Sequence, residues 1–99
     1  MVHKIRAKTV DIAERFVAGA TEGQSYSGSL FISGNTIYSY GYHFPIAKLD
    51  RRNKIAYFNK NRYSVTTSIH QGHVRRALQT SRFKIIEEGT EQLKKRIGD

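Results

Sequence analysis

Ser29-Leu30-Phe31-Ile32-Ser33-Gly34-Asn35-Thr36-Ile37-Tyr38-Ser39-Tyr40-Gly41-Tyr42-His43-Phe44 is the stretch on which the fold turns. Leu30-Phe31-Ile32 and Thr36-Ile37-Tyr38 flank Ser33-Gly34-Asn35, and a Gly-Asn turn suits the positive φ angles of a tight hairpin. The spacing predicts a β-hairpin over 29–44. Along its second strand Tyr38, Tyr40, Tyr42 and Phe44 share one face at period two, and Ile37, Ser39, Gly41 and His43 share the other. The aromatic stripe has two uses: half of the hydrophobic core, or a platform on which bases stack. One face must be buried and the aromatic one is the better core, which puts Ser39 and His43 on the more open side.

Working outward, Ile46-Ala47-Lys48-Leu49 and Lys54-Ile55-Ala56-Tyr57-Phe58 predict a second hairpin around Asp50-Arg51-Arg52-Asn53. Arg62 to Thr67 is rich in β-branched residues and predicts another strand, making 29–67 the strand-rich region. Ser68-Ile69-His70-Gln71 has the capping-box pattern, so a helix is expected over 69–79 with Ile69, His73, Val74, Ala77 and Leu78 inward. Nearer the N-terminus, Asp11 as N-cap, Glu14 and a Gly19 stop predict a helix over 11–19 with Ile12 and Phe16 inward. Thr21 to Gly28 is Gly- and Ser-rich without periodicity and is expected to be loop. A short strand over 83–87 and a terminal helix over 90–97, with Leu93 and Ile97 inward, complete the chain. Together these predict a single α+β domain over 1–99, with a mainly antiparallel sheet of about four to six strands and two or three short helices.

The charge is distributed unevenly. The chain of 99 residues carries a formal net charge of +9 and has no cysteine, which excludes disulfides, thiolate metal sites and cysteine nucleophiles. Between Gly23 and Ile86 stand ten Lys/Arg residues against one acid, Asp50, together with ten of the eleven aromatic residues. A positive surface attracts phosphate through long-range fields and counterion release. Lys48, Arg51, Arg52, Lys54, Arg62, Arg75 and Arg76 are the candidate phosphate contacts, with Lys60, Arg82 and Lys84 in the same clusters. The default for such residues is solvated surface charge, but the scarcity of compensating acids favours a nucleic-acid partner, DNA or RNA. The apolar runs are too short to span a membrane, and Met1 to Arg6 leads into a polar stretch with no apolar signal region, so a cytoplasmic site in the host cell is expected.

Two histidines offer chemistry. His70 would occupy the second position of a helix, where the macrodipole disfavours imidazolium and keeps a neutral base. With His43 it forms the minimum set for metal-free phosphodiester cleavage, one imidazole taking a proton and the other giving one, with a nearby arginine on the phosphorus charge. Against that stands the plainer role of buried hydrogen bonds. His70 and His73 have i,i+3 spacing and His43 could be a third metal ligand, but His73 falls on the apolar stripe and no acid lies near. No metal and no cofactor is expected, and no phosphate-binding loop or dinucleotide fingerprint is present.

Gly34-Asn35-Thr36-Ile37-Tyr38-Ser39-Tyr40-Gly41-Tyr42-His43-Phe44-Pro45-Ile46-Ala47 and Arg62-Tyr63-Ser64-Val65-Thr66-Thr67-Ser68-Ile69-His70-Gln71 have a further property. They resemble the G-N/D-x-I-Y-S-Y-G-x-H-F-P-I-A and Y-S-x-T-T-S-x-H-Q motifs of a family of small proteins of phages, archaeal viruses and mobile elements. The resemblance covers 24 of the 99 residues. It implies a viral or mobile-element origin and a shared polar site of Ser39, His43, Ser64, Thr66, Thr67, His70 and Gln71; it implies no activity. Three functions follow as expectations: a nucleic-acid-binding protein, a metal-free nuclease using His43 and His70, or an inhibitor of a host defence complex of the anti-CRISPR kind. A host protein complex and a second copy of the chain are the further partners considered.

Overall fold

The computed structural model describes residues 6–98; the first five residues, part of the segment read as lacking a leader, lie outside them. Its elements are β1 (Arg6–Ala7), α1 (Thr9–Ala18), β2 (Glu22–Ser25), β3 (Leu30–Ser33), β4 (Thr36–Ser39), β5 (Pro45–Asp50), β6 (Ile55–Asn59), α2 (Val65–Thr80), β7 (Lys84–Glu88) and α3 (Thr90–Ile97). The strands form one sheet in sequence order. Four neighbouring pairs from β2 to β6 are antiparallel, whereas β1 on β2 and β7 on β6 are parallel. The fold is thus α+β with a mostly antiparallel sheet. Both edges of the sheet are parallel β–α–β units, β1–α1–β2 and β6–α2–β7, because a parallel return needs a crossover long enough to hold a helix.

Alternation along the strands gives the sheet two dissimilar faces. Leu30, Ile32, Ile37, Ala47, Leu49, Ala56 and Phe58 are buried with Ile12, Phe16, Val74 and Leu78 of α1 and α2. Each Leu, Ile, Val or Phe among them contributes about 1.5–3 kcal/mol by leaving water. The other face holds Lys48 and Tyr57, which meet α3, and an aromatic group in which Phe31 stacks on Tyr38 at 5.2 Å and Tyr42 folds edge-on against both. Among the described residues no helix is long and apolar enough to cross a membrane.

The hairpin forms around a two-residue turn, Gly34-Asn35, with Gly34 at φ 64° between the paired Ser33 and Thr36. Its second strand stops earlier than expected. Tyr40 turns into the left-handed region at φ 61°, and Ser39 N–H donates to the Phe44 carbonyl at 3.1 Å, closing a tight loop. The aromatic stripe therefore breaks: Tyr38 and Phe44 are buried, Tyr40 and Tyr42 exposed. Ser39, expected on the more open side with Ile37, is instead buried with it against the helices.

The second correction concerns α2. It starts at Val65, not Ile69, with Ser64 as N-cap accepting from Thr67 N–H at 3.1 Å. The segment predicted as a strand over 62–67 is in fact a loop and the first turn of this helix. β-branched residues favour strands only when their pleated surface is covered; here Thr67, His70, Val74, Ala77 and Leu78 form the buried helical stripe and Ile69 points outward. β2 pairs with β3 inside the stretch read as loop, where Gly and Ser hide a backbone pairing that carries no side-chain period. In α1, Lys8 rather than Asp11 occupies the N-cap position, and Gly19 at φ 126° ends the helix as anticipated.

Candidate functional site

Three of the seven candidate phosphate contacts lie near helix ends. Arg51 donates to the Phe16 and Val17 carbonyls at 2.7 and 3.2 Å, in the last turn of α1. Lys48 Nζ donates to the Arg96 carbonyl of α3 at 2.9 Å. Lys54 Nζ reaches the Ser81 carbonyl just past α2 at 3.4 Å and sits over the Phe83 ring. Carbonyls at helix C-termini are unpaired and carry the negative end of the macrodipole, so cations there are stabilising. Bases of β5 and of the β5–β6 turn thus sit at the C-terminal ends of all three helices.

The remaining bases separate. Lys48, Arg51 and Arg52 line a cavity of about 550 Å³ with Asn35, Tyr57 and Arg96. Arg96, absent from the sequence-level set, is held by Glu88 at 2.6 Å and lies over the Tyr57 ring at 3.9 Å. The one acid of the turn, Asp50, is held below its ordinary pKa by the side-chain amide and then the backbone N–H of Asn53. Arg75 pairs with Glu87 and covers Phe58, while Arg76 shares a cavity of about 200 Å³ with Glu14 and His73 beside α1. The basic clusters therefore do not converge on one face.

At the opposite end of β6 a different site is built. The loop after Asn59 is held from several sides. Gln71 Nε2 donates to the Asn59 and Asn61 carbonyls at 2.8 and 3.0 Å, Lys60 N–H donates to the Glu88 carbonyl at 2.8 Å, and Asn61 N–H donates to Asn59 Oδ1 at 2.9 Å. Asn59 itself is anchored to the Pro45 carbonyl and Thr90 Oγ1. This framework presents Lys60 and Arg62, whose side chains have no partner among the described residues. With Ser68, Gln71 and the Arg75–Glu87 pair they line a cavity of about 390 Å³. Tyr63 follows directly, its ring against Phe44 at 5.1 Å and its hydroxyl 3.3 Å from His43 Nε2. The N-terminus of α2, the positive end of its dipole, begins two residues later.

Beneath this surface lies a buried chain of hydroxyls. Ser64 Oγ donates to Thr67 Oγ1 at 3.2 Å, Thr67 Oγ1 lies 3.0 Å from Ser39 Oγ, and Ser39 Oγ lies 2.9 Å from His70 Nδ1. Ser64 donates to Thr67, and two proton orders satisfy the rest of the chain: Thr67 to Ser39 to an unprotonated His70 Nδ1, or His70 Nδ1–H to Ser39 to Thr67, whose oxygen has two lone pairs. Burial lowers the His70 pKa below its ordinary 6.5, and the neighbouring His73 charge adds to this. His70 is 2% exposed. His43 stands on the exposed loop with Tyr63, and no hydrogen bond joins the two imidazoles among the described residues. Thr66 is exposed at the helix start. Of the polar motif residues, the structure brings together Ser39, Ser64, Thr67 and His70 in one network, pairs His43 with Tyr63, and turns Gln71 onto the basic loop. Lys60 belongs to the basic clusters and Tyr63 to the second motif, but neither is among the candidate contacts or polar site read from the sequence; their position on a pinned loop singles them out.

Among the described residues no three of His, Cys, Asp and Glu converge as a metal site would require. No family model, curated protein or solved structure matches this chain.

Proposed function

We propose that this protein binds nucleic acid, with Lys60 and Arg62 as its leading phosphate contacts. One observation carries the reading: two unpartnered cations stand on a hydrogen-bonded loop beside an exposed tyrosine, at the positive end of a 16-residue helix. With Glu87 of the same cavity paired to Arg75, the net charge there is positive, and positive charge on a hydrogen-bonded support attracts a polyanion without first having to be ordered. Arg76, whose side chain has no partner among the described residues, and Arg52, which faces the Asp50 carboxylate, would add long-range attraction. Lys48, Arg51 and Lys54 serve the helix ends instead. The motif resemblance supports a virus or mobile element as the source and the host cytoplasm as the setting. The buried His70 gives the nuclease alternative less support, since its Nδ1 is engaged and its ring is enclosed.

Electrophoretic mobility shifts across a salt series test this. Binding to DNA or RNA at low salt should weaken steeply as salt rises. A Lys60→Ala/Arg62→Ala double variant should bind more weakly and lose roughly 1.5 from the slope of log affinity against log salt, at about 0.7–0.9 per phosphate contact. Absence of any shift at low salt would remove the proposal.

A second reading, docking on a host protein complex, draws on Val65 and Ile69, which are 80% and 53% exposed one turn apart on α2. Stable co-purification with a host protein, abolished by Ile69→Asp, would favour it.

A further inference from the structure

The end of the molecule that carries Lys60 and Arg62 also carries rings that no core uses. Tyr63 is 55% exposed, yet it is not free to swing: Phe44 backs its ring, His43 meets it edge-on at 5.7 Å, and its hydroxyl contacts the same imidazole. Tyr40 is 49% exposed and its backbone lies in the left-handed region at φ 61°, a conformation disfavoured for any residue with a Cβ. Its N–H donates to the Ser29 carbonyl at 2.8 Å and its ring lies tilted over His70, centroids 6.1 Å apart. Both rings are thus held outward by contacts on one side and open to solvent on the other. Exposed, pre-positioned rings next to unpaired cations are what a strand with unstacked bases requires.

A duplex offers less to this surface. Its bases are already stacked, so the tyrosines would find no base face. The helix at this surface, α2, also lacks the groups that read a groove. Thr67, His70, Val74, Ala77 and Leu78 bind α2 to the molecule, and the outward residues of its first turns, Val65, Thr66 and Ile69, have neither amide nor guanidinium groups for reading base edges.

We propose that the ligand of this surface is single-stranded nucleic acid, with bases stacking on Tyr63 and Tyr40 and phosphates meeting Lys60 and Arg62; this rests on the nucleic-acid reading above. Stacking on a π-face is indifferent to base identity, so the preference is for strandedness over sequence.

Fluorescence anisotropy with a short labelled mixed-sequence oligonucleotide, as single strand and as duplex, in DNA and in RNA, distinguishes the outcomes. At moderate salt the single strand should bind on the order of tenfold tighter than the duplex. Tyr63→Leu should cost the single strand roughly tenfold with an unchanged salt slope, while Tyr63→Phe retains the ring and the affinity. Tyr40→Asn is the companion variant, because asparagine accepts the left-handed backbone and the fold is not at risk; it too should weaken the single strand. Equal or tighter binding of the duplex overturns the proposal and leaves the nucleic-acid reading standing, as do ring variants that all bind like the parent. No binding of either form at low salt overturns both.

Discussion

His70 is the residue whose protonation the fold constrains most. Its ring is buried and its Nδ1 ends the hydrogen-bonded chain that links Ser64, Thr67 and Ser39, so the folded state favours neutral imidazole. A folded-state pKa below the unfolded 6.5 means that the unfolded chain binds the proton more readily. Stability should therefore decline as pH falls below 6.5 and level off only below the folded-state value. Chemical denaturation from pH 7.5 to 5 should show this decline. In His70→Gln the same pH range should be flatter, on a base of lower stability, and an unchanged slope would refute the assignment to His70. Ser39 and His70 each stood out in the sequence as polar members of the two motifs. Their contact did not, because it joins positions 31 apart and depends on how β4 ends.

At the scale of elements, the β5–β6 turn binds the helices to the sheet. Arg51→Ala removes two hydrogen bonds and a cation from the last turn of α1, and should destabilise the fold by about 1–3 kcal/mol. A thermal melt should register the loss, while affinity for nucleic acid stays within about twofold, since a lost contact worth less than ~0.4 kcal/mol is all that allows. A large affinity loss with an unchanged melt would return Arg51 to the phosphate contacts. The hairpin over Leu30–Ser39, the Gly19 stop and α3 over 90–97 were legible because their signals are local: a Gly-Asn turn, a glycine at a helix end, a helical period. The start of α2 was not. Ser68 heads a capping box with Gln71 whereas Ser64 has no Glu or Gln three residues on, and the burial of Thr67 against Ser39 selects the earlier start.

Across the whole molecule, the excess charge divides between two ends of β6. Lys54 and Lys60 flank this strand six residues apart, roughly 20 Å at an extended rise. Groups so far apart without shared partners act independently. Combining Arg51→Ala with Arg62→Ala should therefore give a melting shift equal to that of the first variant plus that of the second, and a binding loss equal to that of the second alone. Coupling beyond about 0.5 kcal/mol in either quantity would show that one continuous surface uses both ends.

The amino-acid sequence by itself determined the α+β class, the hairpins and the sign of the field, because propensity, turn chemistry and net charge are properties of short segments. Tertiary structure alone decided which of the charges meet helix carbonyls. Whether a lysine at a turn faces solvent or a helix carbonyl depends on where distant helices end. Whether a tyrosine packs or protrudes depends on the residue at which its strand stops.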